Sequence, residues 1–366
     1  MRLLVSCIPY DQGKSGISVY TREVVRALQG QGHELTLLCE PGVDAAEIAG
    51  RETANFHAPG WTKRAVFSMA WHLFILPFIV WRRRGEFDGF VICAANRRVC
   101  SWYPLATTAT VHDLANFHIP GKYSRMRMFY LAHVLPFFAK RAQHLVAVSG
   151  ATKEDMVKFW HCRDEDVTVL YNGLTLPGEQ ARRRHDGDHS SLTYISRIEH
   201  PGKNHVRLIE AYGKLPKDLA AAHPLVIAGA DWKDAEVVHV AAEKSPNAEF
   251  IRFTGFVDDI EALWAETGFY VFPSLFEGFG LSLIEAMDRG ITCACSNNGS
   301  LGEIAGDVAV TFDPYDVDAM AGALETLLTE SENERQARIL RGHEHIKKYS
   351  WPDHAVGLVK LLGGAA

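Results

Sequence analysis

Residues 272 to 290, FPSLFEGFGLSLIEAMDRG, carry two carboxylates, Glu277 and Glu285, with seven residues between them and with Gly278, Phe279 and Gly280 following the first. Were the stretch helical throughout, a rise of ~1.5 Å per residue would separate the carboxylates by roughly 12 Å. That is too far to share one metal ion, and beyond the roughly 5 to 9.5 Å of paired glycosidase carboxylates. The spacing suits two points on one elongated ligand, such as a nucleotide whose ribose meets Glu285 and whose diphosphate-linked group meets Glu277. The glycines let the backbone approach a ligand, and a helix start with its unpaired N–H groups favours an anion such as phosphate. A pair of this kind standing alone would read as two solvated charges, so its meaning depends on the elements that position it.

Those elements alternate. RLLVSC, HELTLLC, GFVICAA, TTATVHDL and HLVAVS are nearly continuous apolar runs, as in strands covered on both faces, and SVYTREVVRALQGQG has helical periodicity ending in glycine. The polar stretch NGLTLPGEQARRRHDGDHSS interrupts the pattern and reads as a linker over 173–190. Alternation restarts with LTYISRI, PLVIAGA, AEFIRFTGF, FYVFPS and ITCACSN. The fold class is therefore α/β: two Rossmann-like domains with parallel sheets, 1–172 and 191–349, facing a central cleft at the carboxyl ends of their strands. The C-terminal helix, about 350–366, is expected to pack back on the first domain. The opening stretch then parses as strand FYVFPS, loop LFEGFG and helix LSLIEAMDRG.

A chain of 366 residues with 47% hydrophobic and 22% charged residues is a globular protein of about two domains. Its seven cysteines occur singly, without a disulfide framework or a CxxC pair, which points to reduced thiols and a cytoplasmic setting. MRLLVSCIPYDQG reads as a first strand and fails as a signal peptide. The net charge of −6 hides an asymmetry, because residues 51–150 hold 13 Lys and Arg against 4 Asp and Glu. Such an excess suits a phosphorylated substrate or an anionic membrane; no nucleic-acid module accompanies it.

EGFGLSLIE resembles the E-x7-E motif of the retaining glycosyltransferases of family 4, which have the GT-B fold. GISVYTREVVRAL (16–28), TVHDL (110–114), VAVS (146–149), LYNGL (170–174), ISRIEHPGKNHVRLIEAY (195–212), FTGFVDD (253–259) and SNNGSLGEIAGDVAVTFDP (296–314) agree with that family in order and spacing. The segment 42–105 matches none of its motifs. The resemblance implies that Arg197 and Lys203 grip the donor diphosphate, and that Glu285 accepts hydrogen bonds from ribose hydroxyls. It also implies that Glu277, with Gly278, Phe279, Gly280 and Leu281, faces the donor sugar and diphosphate. His112 is matched to a histidine aimed at the donor sugar, Gly16 to a loop beside the diphosphate, and Phe256 and Val257 to the neighbourhood of the base.

The activity so implied is α-retaining transfer of a hexosyl group from a nucleoside diphosphate sugar, GDP-mannose or a UDP-hexose, to a hydroxyl of a glycan or lipid-linked acceptor, in cell-surface polysaccharide or lipopolysaccharide assembly. Neither a cofactor nor a metal is expected, since two cations already meet the leaving diphosphate. A sugar-nucleotide epimerase of similar fold and a non-catalytic nucleotide-binding protein are the alternatives. A P-loop at GKS (13–15) lacks its first glycine, because Ile8 stands there. The run AVFSMAWHLFILPFIVW (65–81) is apolar nearly all round, contains His72 and Pro77, and is flanked by Lys63, Arg64 and Arg82 to Arg84. It is too short and interrupted for a membrane span, and burial within the first domain is expected ahead of a peripheral contact with an anionic membrane. Replacing the ionised acceptor at Glu285 by glutamine is expected to weaken nucleoside diphosphate binding, which titration calorimetry would measure.

Overall fold

The computed structural model describes residues 1–13, 15–119, 121, 123–175 and 190–363, so most of the expected linker lies outside the described residues. The chain divides into two compact units, one of residues 1–173 with 349–366 and one of residues 174–348. The first holds β1 (Arg2–Ser6), β2 (Glu34–Cys39), β3 (Ala54–His57), β4 (Gly89–Ile92), β5 (Thr107–Val111), β6 (His144–Ala147) and β7 (Val167–Val169). These form one parallel sheet in the order β3-β2-β1-β4-β5-β6-β7. The second holds β8 (Ser191–Ile195), β9 (Leu225–Ala228), β10 (Ile251–Gly255), β11 (Thr267–Phe272), β12 (Thr292–Ser296) and β13 (Val310–Phe312), parallel in the order β10-β9-β8-β11-β12-β13.

Central strands such as TTATV, TGFYVF and TCACS are buried at every residue, which is why they read as unbroken apolar or small-residue runs. Three strands had no such run. All three are outermost in their sheets: β3 is mostly exposed, while β7 and β13 are three residues long. In each sheet the strand order reverses direction beside its first strand, between β1 and β4 and between β8 and β11. Loops leaving the carboxyl ends of such a pair diverge to opposite faces and open a crevice there.

In the first unit, helix Gly16–Gly30 is capped by Ser15, whose side chain accepts from the Ser18 N–H, and it buries Tyr20, Val24, Val25 and Leu28. Gly16 is thus the first residue of a helix rather than part of a loop. Helix Trp351–Leu361, last in the chain, packs against it. A buried chain of hydrogen bonds ties the two together. Thr110 Oγ1 and the Tyr20 hydroxyl are 2.9 Å apart, and the Tyr20 hydroxyl donates to His354 Nε2 at 2.8 Å. His354 Nδ1–H in turn donates to the Tyr171 carbonyl at 2.9 Å.

The apolar run beginning at residue 65 is not buried on all sides, contrary to the expectation. It forms helical turns over Ala65–Ala70, a π-helical turn over Trp71–Ile75 and helix Leu76–Arg82. Trp71, His72, Leu76, Pro77 and Val80 enter the core, whereas Val66, Phe67, Phe74, Phe78 and Trp81 stay exposed. Pro77 has no N–H for the Leu73 carbonyl one turn back. The Ser101 N–H takes that carbonyl instead, at 2.9 Å.

Burial lowers the His354 pKa to about 4 against a partial rise from the Tyr171 carbonyl, and burial lowers His72 to about 3. An unfolded chain takes up these protons below pH ~6.5 while the folded chain does not until near pH 4, so stability is lost as pH falls through that window. Thermal unfolding followed from pH 7 to pH 4 is expected to show a falling melting temperature. His354→Leu should lower stability at pH 7 by ~1–3 kcal/mol, by orphaning the Tyr20 hydroxyl and the Tyr171 carbonyl, and should also flatten the pH slope.

Candidate functional site

Strands β8 and β11 are neighbours, and the segments leaving their carboxyl ends are built to meet each other. Beyond β8 the backbone is knitted to the end of β9: the Ser196 N–H donates to the Ala228 carbonyl at 2.9 Å and the Ile198 N–H to the Ala230 carbonyl at 3.0 Å. This approach requires glycine at position 229, where a Cβ would lie 1.9 Å from the Ser196 carbonyl oxygen. Arg197 is thereby fixed at its backbone with an exposed side chain, its guanidinium 5.2 Å from the Trp232 ring and 3.6 Å from Glu199.

The loop 199–204 is clamped onto the segment after β11. The Tyr194 hydroxyl donates to the Lys203 carbonyl and lies 3.0 Å from Ser274 Oγ; the Leu275 N–H donates to the Gly202 carbonyl. Asn204 is buried with φ +61°, and its side-chain amide donates to the Pro273 and Pro314 carbonyls. Asparagine is among the residues that tolerate this left-handed backbone. The result is an ion pair between Lys203 Nζ and Glu277 Oε1 at 2.6 Å, with side chains 23% and 19% exposed. Burial works against the Lys203 charge, but Glu277 and then Tyr194 outweigh it and hold the ammonium above its ordinary pKa. His205, the first residue of helix His205–Tyr212 after that loop, is pushed down to about 3 by burial and by Lys203, and stays neutral at Ser196 Oγ.

Glu277 is also held by its main chain, since its carbonyl accepts from the Ser300 N–H at 3.2 Å and hydroxyl at 3.0 Å. Gly278 is half-buried and Phe279 buried. Gly280 precedes helix Leu281–Asp288 with φ +104°, and a Cβ there would lie 2.7 Å from Leu301 Cδ2. Leu281 is the first residue of that helix and Glu285, half-buried, lies one turn on. The Ser282 Oγ accepts from the buried Tyr270 hydroxyl at 2.7 Å, which pins the helix start to β11. Phe256 and Val257 follow β10; Phe256 is exposed, whereas Val257 packs against Val226, Ala228 and Leu263.

The second unit therefore joins Lys203 directly to Glu277, and places Arg197 close enough for its charge to act on Lys203. Gly16 and His112 belong to the first unit. His112 comes directly after β5, is buried, and donates from Nε2–H to the Cys93 carbonyl at 2.7 Å. Its ring meets Tyr20 edge-on at 4.6 Å. Burial lowers its pKa to about 4, against the rise from the Cys93 carbonyl, so at neutral pH it is an uncharged imidazole with Nδ1 left as the acceptor nitrogen. The residues assigned from sequence do not include Gly229 or Ser300. Their signals are the small residues after the β9 run and the SNNGS turn after β12, both read only as parts of longer stretches.

An ion pair, an exposed guanidinium and a helix start thus lie together beyond the carboxyl ends of two adjacent parallel strands, the end at which open α/β sheets commonly bind ligands. Comparison with known proteins places the chain in a family. Residues 14–176 match the family description "Glycosyltransferase Family 4" and residues 179–343 match "Glycosyl transferases group 1". O-antigen chain mannosyltransferase B of Escherichia coli is 30% identical over 268 residues, which are 69% of this chain and 70% of that protein. The chain belongs to glycosyltransferase family 4. Serotype-specific mannosyltransferase WbdA of Escherichia coli is 27% identical over 285 residues, 71% of this chain and 34% of that protein, so the chain spans about a third of WbdA's length. The solved structure of Anabaena HepE in complex with UDP and glucose is similar over 100% of both chains, with a TM-score of 0.74 at 16% identity. The glycosyltransferase fold is GT-B.

Within this family 4 glycosyltransferase, Gly280 is the position where a single methyl group tests the site's construction. Gly280→Ala is expected to cost ~1–3 kcal/mol in stability from the strained backbone, with displacement of the helix start. Thermal unfolding would measure the first, and calorimetry a parallel loss of nucleoside diphosphate affinity.

Proposed function

We propose that the protein transfers a mannosyl group, with retention of the α configuration, from a nucleoside diphosphate mannose to a hydroxyl of a glycan or lipid-linked acceptor in O-antigen-type polysaccharide assembly. The observation that carries this reading is the Lys203–Glu277 pair beside Arg197 and the start of helix Leu281–Asp288. The mannose assignment is supported by the mannosyltransferase relatives, and the nucleotide-sugar assignment by the UDP held by HepE.

Lys203 has three N–H donors and gives one to Glu277, leaving two for diphosphate oxygens. Arg197 adds a second cation, and the first N–H groups of the helix add partial positive charge. Together they stabilise the charge that grows on the diphosphate as the glycosidic bond breaks, so no metal ion is needed for that role. Glu277 keeps the ammonium charged and aimed, and Glu285 takes the ribose hydroxyls. His112 contributes a neutral acceptor for a sugar hydroxyl. Departure of the diphosphate leaves an oxocarbenium-like sugar, and the acceptor hydroxyl attacks it from the same face, its proton passing to the departing phosphate oxygen.

Release of GDP from GDP-mannose in the presence of a mannan oligosaccharide or lipid-linked acceptor, against UDP-glucose and UDP-galactose as competing donors, tests the assignment. A preference for a UDP-hexose overturns the mannose reading, and donor turnover to an epimer without acceptor overturns transfer. Arg197→Ala and Lys203→Ala should each lower kcat by about a hundred- to a thousandfold, from ~3–4 kcal/mol for one charge-stabilising group. Activity should persist in EDTA.

A further inference from the structure

We propose that two helices of the first unit together form a docking surface for an anionic lipid bilayer. The first is the run 65–82. The second is its sequence counterpart, with helical turns over Arg125–Phe129, a π-helical turn over Tyr130–Val134 and helix Leu135–Ala139. Both break to a π turn just before a Leu-Pro-Phe triplet, Leu76 to Phe78 in one and Leu135 to Phe137 in the other. In both triplets the leucine and proline are buried and the phenylalanine is exposed, 59% for Phe78 and 55% for Phe137. The two helices share one apolar core and are bridged by residues 100–103, where the Tyr103 hydroxyl donates to the Phe138 carbonyl at 3.3 Å and Trp102 meets the Phe78 ring at 5.5 Å.

Among the described residues of this unit, every exposed large apolar side chain lies on these helices or just before the first: Trp61, five between Val66 and Phe78, Trp81, Met126, Phe129 and Phe137. An apolar surface of this kind marks an interaction site. Its charge says what it meets. Residues 61–84 and 121–143 contain no Asp or Glu, while Lys63, Arg64, Arg82, Arg84, Arg125, Arg127, Lys140 and Arg141 within these same stretches are exposed. Arg84 lies 4.9 Å from the Trp81 ring and Arg141 3.9 Å from the Phe137 ring, so aromatic and cation sit together as at a headgroup boundary. A second copy would bring like charges together, and interfaces between protein copies are depleted of charge at their centre. A spanning arrangement is excluded by the inner face, since Trp71, Leu76 and Val80 are in the core. The helices lie in the interface instead.

Arg83 does not belong to this surface. It is paired with Glu86 at 2.7 Å and packed over the Phe56 and Phe87 rings. The proposal is independent of the donor assignment; a lipid-linked acceptor, as proposed above, is the substrate that such docking would present.

Co-sedimentation of the full chain with vesicles of phosphatidylglycerol and phosphatidylcholine in equal parts, and with phosphatidylcholine alone, needs neither donor nor acceptor and so fails or succeeds apart from the transferase reading. Binding to the anionic vesicles that weakens with salt is expected. Arg82→Ser with Arg84→Ser should lower partition about thirtyfold, from ~1 kcal/mol per basic residue. Phe78→Ser with Trp81→Ser should lower it at least as much while the melting temperature stays within a few degrees. Absence of binding at low salt, or binding that the Phe78 and Trp81 changes leave intact, overturns the proposal. So does self-association in light scattering that these same changes abolish, which would make the occupant a second copy.

Discussion

The Lys203–Glu277 ion pair joins two segments that are 74 residues apart in sequence, and much of the second unit's local construction serves to make that contact. Two half-buried charges lose hydration, and their attraction repays the loss only where geometry is good and the remaining polar groups are satisfied. The geometry here is set by main-chain bonds rather than by the pair itself. Asn204, Tyr194, Ser274 and Leu275 fix the lysine loop on the segment after β11, and Ser300 fixes the Glu277 carbonyl. The side chains then meet without having to order a flexible loop, which removes most of the entropic cost that weakens surface ion pairs.

The two sheets place polar groups beyond their strand ends by the same rule but with different electrostatics. In the second unit the segments beyond β8 and β11 gather charged pairs, Lys203 with Glu277 and Arg197 with Glu199. In the first, His112 stands beyond β5 as a neutral ring, its Nε2–H committed to the carbonyl of Cys93 beyond β4. Tyr20, against which that ring packs, is itself held by His354 of the last helix. The C-terminal helix thus supports, through Tyr20, the packing of the His112 ring, and is not merely a cover for the sheet. Burial keeps the ring uncharged at neutral pH, so it offers an acceptor nitrogen rather than a positive charge.

How much of this was legible in the sequence depended on whether one residue's type carries the information. The nine interior strands are unbroken apolar runs and were readable, as was the five-residue edge strand β10; β3, β7 and β13 lie at sheet edges, where three or four residues and partial exposure leave no pattern. The Glu277–Glu285 spacing and the turn glycines were visible because a loop and a helix start need them locally. The pairing of Lys203 with Glu277 was not, since nothing in either segment specifies the register of adjacent strands β8 and β11. Gly229 was hidden for the same reason: its need for a missing side chain comes from Ser196, beyond another strand.

The apolar run at 65–82 shows the limit most clearly. Hydropathy records that both faces are greasy, and the inference that such a segment must be covered rests on the assumption that water is the only other solvent. Proline breaks the symmetry. Pro77 cannot bond back to Leu73, the freed carbonyl is taken by Ser101, and this bond seats the helix on the core by one face only. The residues beside the proline then diverge, with Leu76 inward and Phe78 outward, and the same division recurs at Leu135 and Phe137. One such exposed phenylalanine is ordinary on a soluble surface. Two helices that repeat the device, share a core and carry basic residues with no acid among them are the surface on which the proposed docking to an anionic bilayer rests, its rings matched to the apolar interior and its cations to the headgroups.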